Sequence, residues 1–169
     1  LLNGKYKGKG VVCDPVSKQP TGLLLEQAGS LVSRVCPQFS TEQQINSALE
    51  SAEIFNALGV TGFQHAVTSA AQLDAYKALD EANELNIRVS ACIATDTLIV
   101  PKEEGIGMKV AKRHNEYLSS RICADGVKFF MDGMVPLKTA AMLEPYLCEN
   151  ENYGDLAFTK EELVDKMLP

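Results

Sequence analysis

From residue 40 onward the chain repeats one pattern: an amphipathic stretch of helical period, a helix-stopping residue, then a short apolar run. Ile45, Ala48, Leu49, Ala52, Phe55 and Leu58 recur at three- and four-residue spacing and line one helix face. Ser40 and Gln43 have the spacing of a capping box, and Gly59 can close the last turn. Residues 60–65 then read as a strand. The second unit repeats this order. Ser69 and Gln72 open a helix whose apolar side is Ala75, Tyr76, Leu79 and Ala82; Asn86 ends it, and 87–94 is the next strand. After a loop containing Pro101, Gly105 and Gly107, the pattern predicts a helix over 108–119 and a third strand over 126–132. Helices alternating with short apolar strands imply βαβ units and a parallel sheet, with the strand ends gathered on one rim.

The first 39 residues differ. Val11, Val12 and Cys13 face the apolar run Leu23–Leu24–Leu25 across Asp14-Pro15 and Pro20-Thr21-Gly22, which predicts a β-hairpin. A short helix and a break at Pro37 follow. Residues 3–10 are a basic, glycine-containing loop, but a strand follows instead of Gly-Lys-Ser/Thr opening a helix, so a phosphate loop is not indicated. The expected organisation is therefore an N-terminal hairpin or inserted segment over 1–39 and βα units over 40–169. At the other end Thr159 and Glu162 form a capping box. Leu163, Val164 and Met167 begin an apolar face that stops at Pro169, and a piece of a longer protein is expected.

The third strand contains the one awkward charge. Alternation over 126–132 puts Lys128, Phe130 and Asp132 on one face and Val127, Phe129 and Met131 on the other. A lysine amid apolar residues loses hydration, so either it reaches solvent or an anion, or it is held neutral and used chemically. Net charge narrows the partners: −6 over 169 residues, with a pI near 5.0, argues against nucleic acid or an anionic membrane. No apolar run is long enough to span a bilayer. The five cysteines are an odd, widely spaced set without a C-x-x-C pair, which predicts mostly buried free thiols in a reducing cytoplasm.

Three stretches together resemble the amidohydrolase superfamily, specifically amidohydrolase family 3. They are Asp14-Pro15 through Glu26, Leu58-Gly59-Val60-Thr61-Gly62-Phe63-Gln64-His65-Ala66, and Val127-Lys128-Phe129-Phe130-Met131-Asp132-Gly133 with Thr139 to Tyr146 following. Their order and spacing match across nearly the whole chain. The resemblance implies part of a (β/α)8 TIM barrel with a small β-hairpin region, in which 60–65, 87–94 and 126–132 are the second, third and fourth strands. It also implies a metal-dependent hydrolase acting on amide-like C–N bonds of small molecules, with a divalent metal, zinc being expected. Lys128 matches the fourth-strand lysine whose carbamate bridges two metals in many members; carbamylation needs the neutral amine.

The departures bear on the site. The chain has two histidines, His65 and His114, and lacks the family's His-x-His pair, later histidines and eighth-strand aspartate. His65 is expected at a strand end, either lining the substrate pocket or as a hydrogen-bonded structural residue. Asp132 either bonds near the site or caps the next loop. His114 is expected as a solvated residue on the third helix, and Glu103, Glu104, Glu149 and Glu151 as solvated loop charges. The chain alone is expected to be inactive and metal-free, with Lys128 a plain lysine, and to self-associate as a homo-oligomer through open sheet edges. The alternative is a non-catalytic α/β regulatory or binding module on the same scaffold.

Overall fold

A computed structural model describes residues 10–95 and 105–167, beginning with the predicted hairpin. Strands β1 (Val11–Cys13) and β2 (Pro20–Leu24) pair antiparallel. Asp14 shapes the connection. Its Oδ1 accepts the Ser17 amide (2.6 Å), the Ser17 hydroxyl (2.9 Å) and the Val16 amide (3.0 Å). Those bonds, the Ser17 amide foremost, hold its carboxyl below the usual carboxylate range. A 3-10 turn at Glu26–Gly29 leads into the short helix α1 (Ser30–Ser33). Residues 3–9 of the predicted basic loop, and Pro101, Glu103 and Glu104, lie outside the described residues.

The chain divides into two compact units, Ser33–Phe129 and the segments that flank it. The first holds the predicted βα pattern. Helix α2 (Thr41–Ala57) has Ser40 as its cap: the Ser40 hydroxyl accepts the Gln43 amide (3.2 Å), and Gln43 Oε1 accepts the Ser40 amide (2.8 Å). Its end is a Schellman motif. Gly59 takes the left-handed conformation (φ +78°), its amide donates to Asn56 O, and the Val60 amide donates to Phe55 O. Strand β3 (Gly62–Thr68) follows, and helix α3 (Ala70–Glu81) starts where Gln72 Oε1 accepts the Ser69 amide. Helix α3 ends at a second Schellman motif built on Asn83 (φ +59°), three residues before the predicted stop at Asn86. Asparagine is one of the few non-glycine residues that tolerate this conformation, and the sequence offered two of them.

Strand β4 (Arg88–Ala94) pairs parallel with β3, and strand β5 (Ile122–Lys128) pairs parallel with β4, giving the order β3–β4–β5. The fold is mixed α/β with a parallel sheet, as expected. Further boundaries differ from the prediction. The predicted helix over 108–119 is broken into α4 (Met108–Ala111) and a 3-10 turn (His114–Tyr117). Val110 and Tyr117 are its buried anchors, and the polar run Lys112–Asn115 between them offers no apolar face to hold a continuous helix. The third strand begins four residues earlier than predicted, because Ile122 and Ala124 are the residues buried against the core.

That core lies on one face of the sheet. Val89, Ala91, Ile93, Ile122 and Ala124 pack with Leu73, Tyr76 and Leu79 of α3, Leu85, Ile87 and Tyr117, while Ile45, Leu49 and Phe55 of α2 are half-buried against them. Leu58 is an exception to the predicted apolar face: as the α2 cap it is exposed.

In the flanking unit, residues 130–157 fold back on themselves. Asp132 bridges Leu156, and the Ala157 and Met142 amides donate to Met131 O and Tyr153 O. Gly154 (φ +69°) permits the closest approach there, since a Cβ would collide with the Ala140 carbonyl. Helix α5 (Lys160–Met167) has the predicted box, Glu162 Oε2 accepting the Thr159 amide at 2.8 Å. Leu163 is half-buried, whereas Val164 and Met167 are exposed. No helix of the described residues is long and apolar enough to cross a membrane.

Candidate functional site

Lys128 is the last residue of β5, so its side chain stands at the C-terminal edge of the sheet. Which face it takes is set by one irregularity. Ser90 pairs with Cys123, but Cys92 pairs with Gly126, so β5 has one more residue than β4 between these partners. This bulge inverts the alternation. Beyond it Lys128 pairs with Ala94 and lies, by register, on the face of Gln64, Ser90 and Cys92, away from the helices. Gly126 allows the inversion. A Cβ there would lie 2.8 Å from Cys92 Sγ and 3.4 Å from Ala91 O.

The Lys128 backbone is fixed by a residue the sequence reading did not single out. Thr95 donates twice to Lys128 O, from its amide (3.1 Å) and its hydroxyl (2.6 Å). Thr95 follows β4 directly; only its position one step beyond a predicted strand could have pointed to it. The Lys128 side chain is half-buried rather than enclosed.

His65 occupies a different place from that expected. Strand β3 runs on to Thr68, so His65 is mid-strand, and its ring lies on the helix-covered face, opposite to that of Lys128. Its Nδ1 is 3.0 Å from the Tyr76 hydroxyl, and its ring packs near Phe63 and Tyr76. Of its two expected readings, these contacts are those of the hydrogen-bonded structural residue. Burial depresses the imidazole pKa and pushes the Tyr76 hydroxyl up to about 12.

Asp132 is exposed, lies in the flanking unit, and accepts the Ala141 amide through Oδ2 (3.0 Å), the loop-capping interaction. His114 is not on a continuous helix; its Nδ1 sits 2.9 Å from Asp125 Oδ1. Glu149 is likewise paired, 2.6 Å from Lys138 Nζ. The thiols differ from expectation most plainly. Cys13, Cys36, Cys123 and Cys148 are exposed and Cys92 is half-buried, because they occupy hairpin, loop and turn positions or the sheet face away from the helices.

The metal that the resemblance implies needs several imidazole or carboxylate donors converging near Lys128. Among the described residues no group of three or more His, Cys, Asp or Glu side chains could hold a metal ion. The donors among the described residues do not by themselves fit a metal centre.

A family model described as the amidohydrolase family matches residues 3–168. The chain belongs to the amidohydrolase family. Among curated proteins no sequence matches this amidohydrolase-family chain. Two solved structures share its fold, both titled uncharacterized metal-dependent hydrolases. That from Pyrococcus horikoshii OT3 is 21% identical with a TM-score of 0.66, over 95% of this chain and 31% of the other. That from Pyrococcus furiosus is 22% identical with a TM-score of 0.62, over 98% of this chain and 32% of the other. The chain thus spans about a third of the length of the structures it matches.

Proposed function

We propose that this chain supplies the second to fourth strands of a (β/α)8 amidohydrolase barrel, preceded in sequence by the hairpin region at 1–39. The complete cytoplasmic enzyme hydrolyses amide-like C–N bonds of small molecules with a divalent metal, expected to be zinc. The observation behind this reading is the placement of Lys128: at the C-terminal end of a parallel strand, turned by the bulge to the face away from the helices. That is where α/β barrels assemble their chemistry. The family match over residues 3–168 and the shared fold of the two Pyrococcus structures support it.

In this reading Lys128, as its carbamate, would hold the metal together with donors from outside this chain, and Thr95 positions it. Asp132 holds the loop after the strand through Ala141, and His65 supports β3 against α3 and does not touch substrate. The histidines come from outside this chain, so no hydrolytic step is assigned to its residues alone. Metal analysis and amide-hydrolysis assays of the purified 169-residue chain test this. Neither stoichiometric tight metal nor turnover is expected, and finding both would sink the partial-site reading. In the complete enzyme Lys128→Ala is expected to lower activity by about 100-fold or more. Full activity of that variant would remove Lys128 from the site and leave the scaffold role.

A further inference from the structure

At the opposite, N-terminal edge of the sheet lies a cleft of about 460 Å³, lined among others by Gly62, Arg88, Ser119, Ser120 and Arg121. A volume of this size accommodates a small molecule. Arg88 is the first residue of β4 and Arg121 immediately precedes β5. Val89 pairs with Ile122, and the Val89 amide donates to Arg121 O at 2.8 Å. The two arginines are therefore cross-strand neighbours, on backbones about 5 Å apart. Like charges in this arrangement repel unless something lies between them. Among the described residues neither guanidinium makes an ion pair, and no acid lines the cleft. In a chain of net charge −6 this is a local positive site.

The surroundings are shaped for the arginines. Gly62 leaves room for the Arg88 stem: a Cβ there would lie 3.3 Å from Arg88 Cβ and 3.7 Å from its Nε. Ser119 Oγ accepts the Arg121 and Ile122 amides (3.1 and 3.0 Å), fixing the start of β5 and leaving its own proton to donate. We infer that Arg88 and Arg121 form a binding site for a small phosphate-bearing anion, remote from the Lys128 edge. Two guanidinium forks with neighbouring hydroxyls match a dianionic oxyanion in both charge and donor number. The site does not depend on the hydrolase reading.

Titration with inorganic phosphate at constant ionic strength tests it, followed by the thermal midpoint and by the arginine Nε–H NMR signals. A saturable rise in the midpoint is expected, with the Arg88 and Arg121 signals shifting and chloride giving neither effect. Arg88→Gln and Arg121→Gln should each weaken phosphate binding at least about tenfold, while Lys112→Gln, outside the cleft, leaves it unchanged. No saturable response, or one that survives both arginine substitutions, overturns the site. Malonate binding as tightly as phosphate overturns the phosphate class, because the pair would then read charge alone.

Discussion

At the scale of single residues, His65 makes the clearest test. Its imidazole is half-buried against Tyr76 and Phe63, and burial holds its pKa below the ordinary 6.5. The unfolded chain therefore takes up this proton first as pH falls. Stability is fully present above pH 6.5 and is lost as pH drops from there toward the lower folded value. Thermal midpoints between pH 7.5 and 5 should fall on the acid side, and His65→Gln should flatten that part of the curve. An unchanged slope in the variant would assign the effect elsewhere. Gly126 is the second test. Gly126→Ala drives a methyl against Cys92 Sγ and is expected to destabilise the protein by about 1–3 kcal/mol in urea unfolding. The loss should shrink in a Cys92→Ala background, since the two sites share the contact. Thr95→Val removes one of two donors to Lys128 O and should cost about 1 kcal/mol.

Elements were legible where a cap and a period agreed. The Ser40–Gln43 and Ser69–Gln72 pairs mark both helix starts correctly, because a capping box needs only residues three apart. Helix ends depend on which residue adopts the left-handed conformation. Gly59 was the obvious choice for α2, but Asn83 and Asn86 were equivalent candidates for α3. Asn83→Gly should stabilise the protein by a few tenths to about 1 kcal/mol in urea unfolding, with Asn86→Gly giving no such gain. The chain forms no continuous helix over 108–119 because Val110 and Tyr117 are the only large buried apolar residues opposite its polar face among the described residues. The strand at 126–132 was misplaced because Phe129, Phe130 and Met131 are as apolar as the true strand, and composition does not say where pairing stops.

For the whole molecule, a parallel sheet whose outer strands are paired on one side only, among the described residues, sets the next expectations. Among the described residues β3 and β5 each have one open edge, and edges of this kind pair with further copies. Sedimentation over a range of concentrations should show self-association; monomer throughout would rule it out. Lys128 in the metal-free chain should remain a plain lysine, because among the described residues no group of three or more His, Cys, Asp or Glu side chains could hold the metals that trap a carbamate. A carbamate signal in 13C NMR after adding labelled bicarbonate would show otherwise.

The sequence by itself determined the order of helices and strands, the caps and the parallel sheet, because these rest on periodicity and on contacts between near neighbours; the family rests on the resemblance of three motif stretches and on the family match over residues 3–168. It also selected Lys128. Tertiary structure alone decided which way that lysine and His65 face. The face of a strand residue depends on its parity relative to the core-facing positions, and a one-residue bulge opposite Cys92 inverts that parity. The Arg88–Arg121 pair was hidden for a related reason. Residues 33 apart in sequence become neighbours only through strand register, which no local pattern encodes.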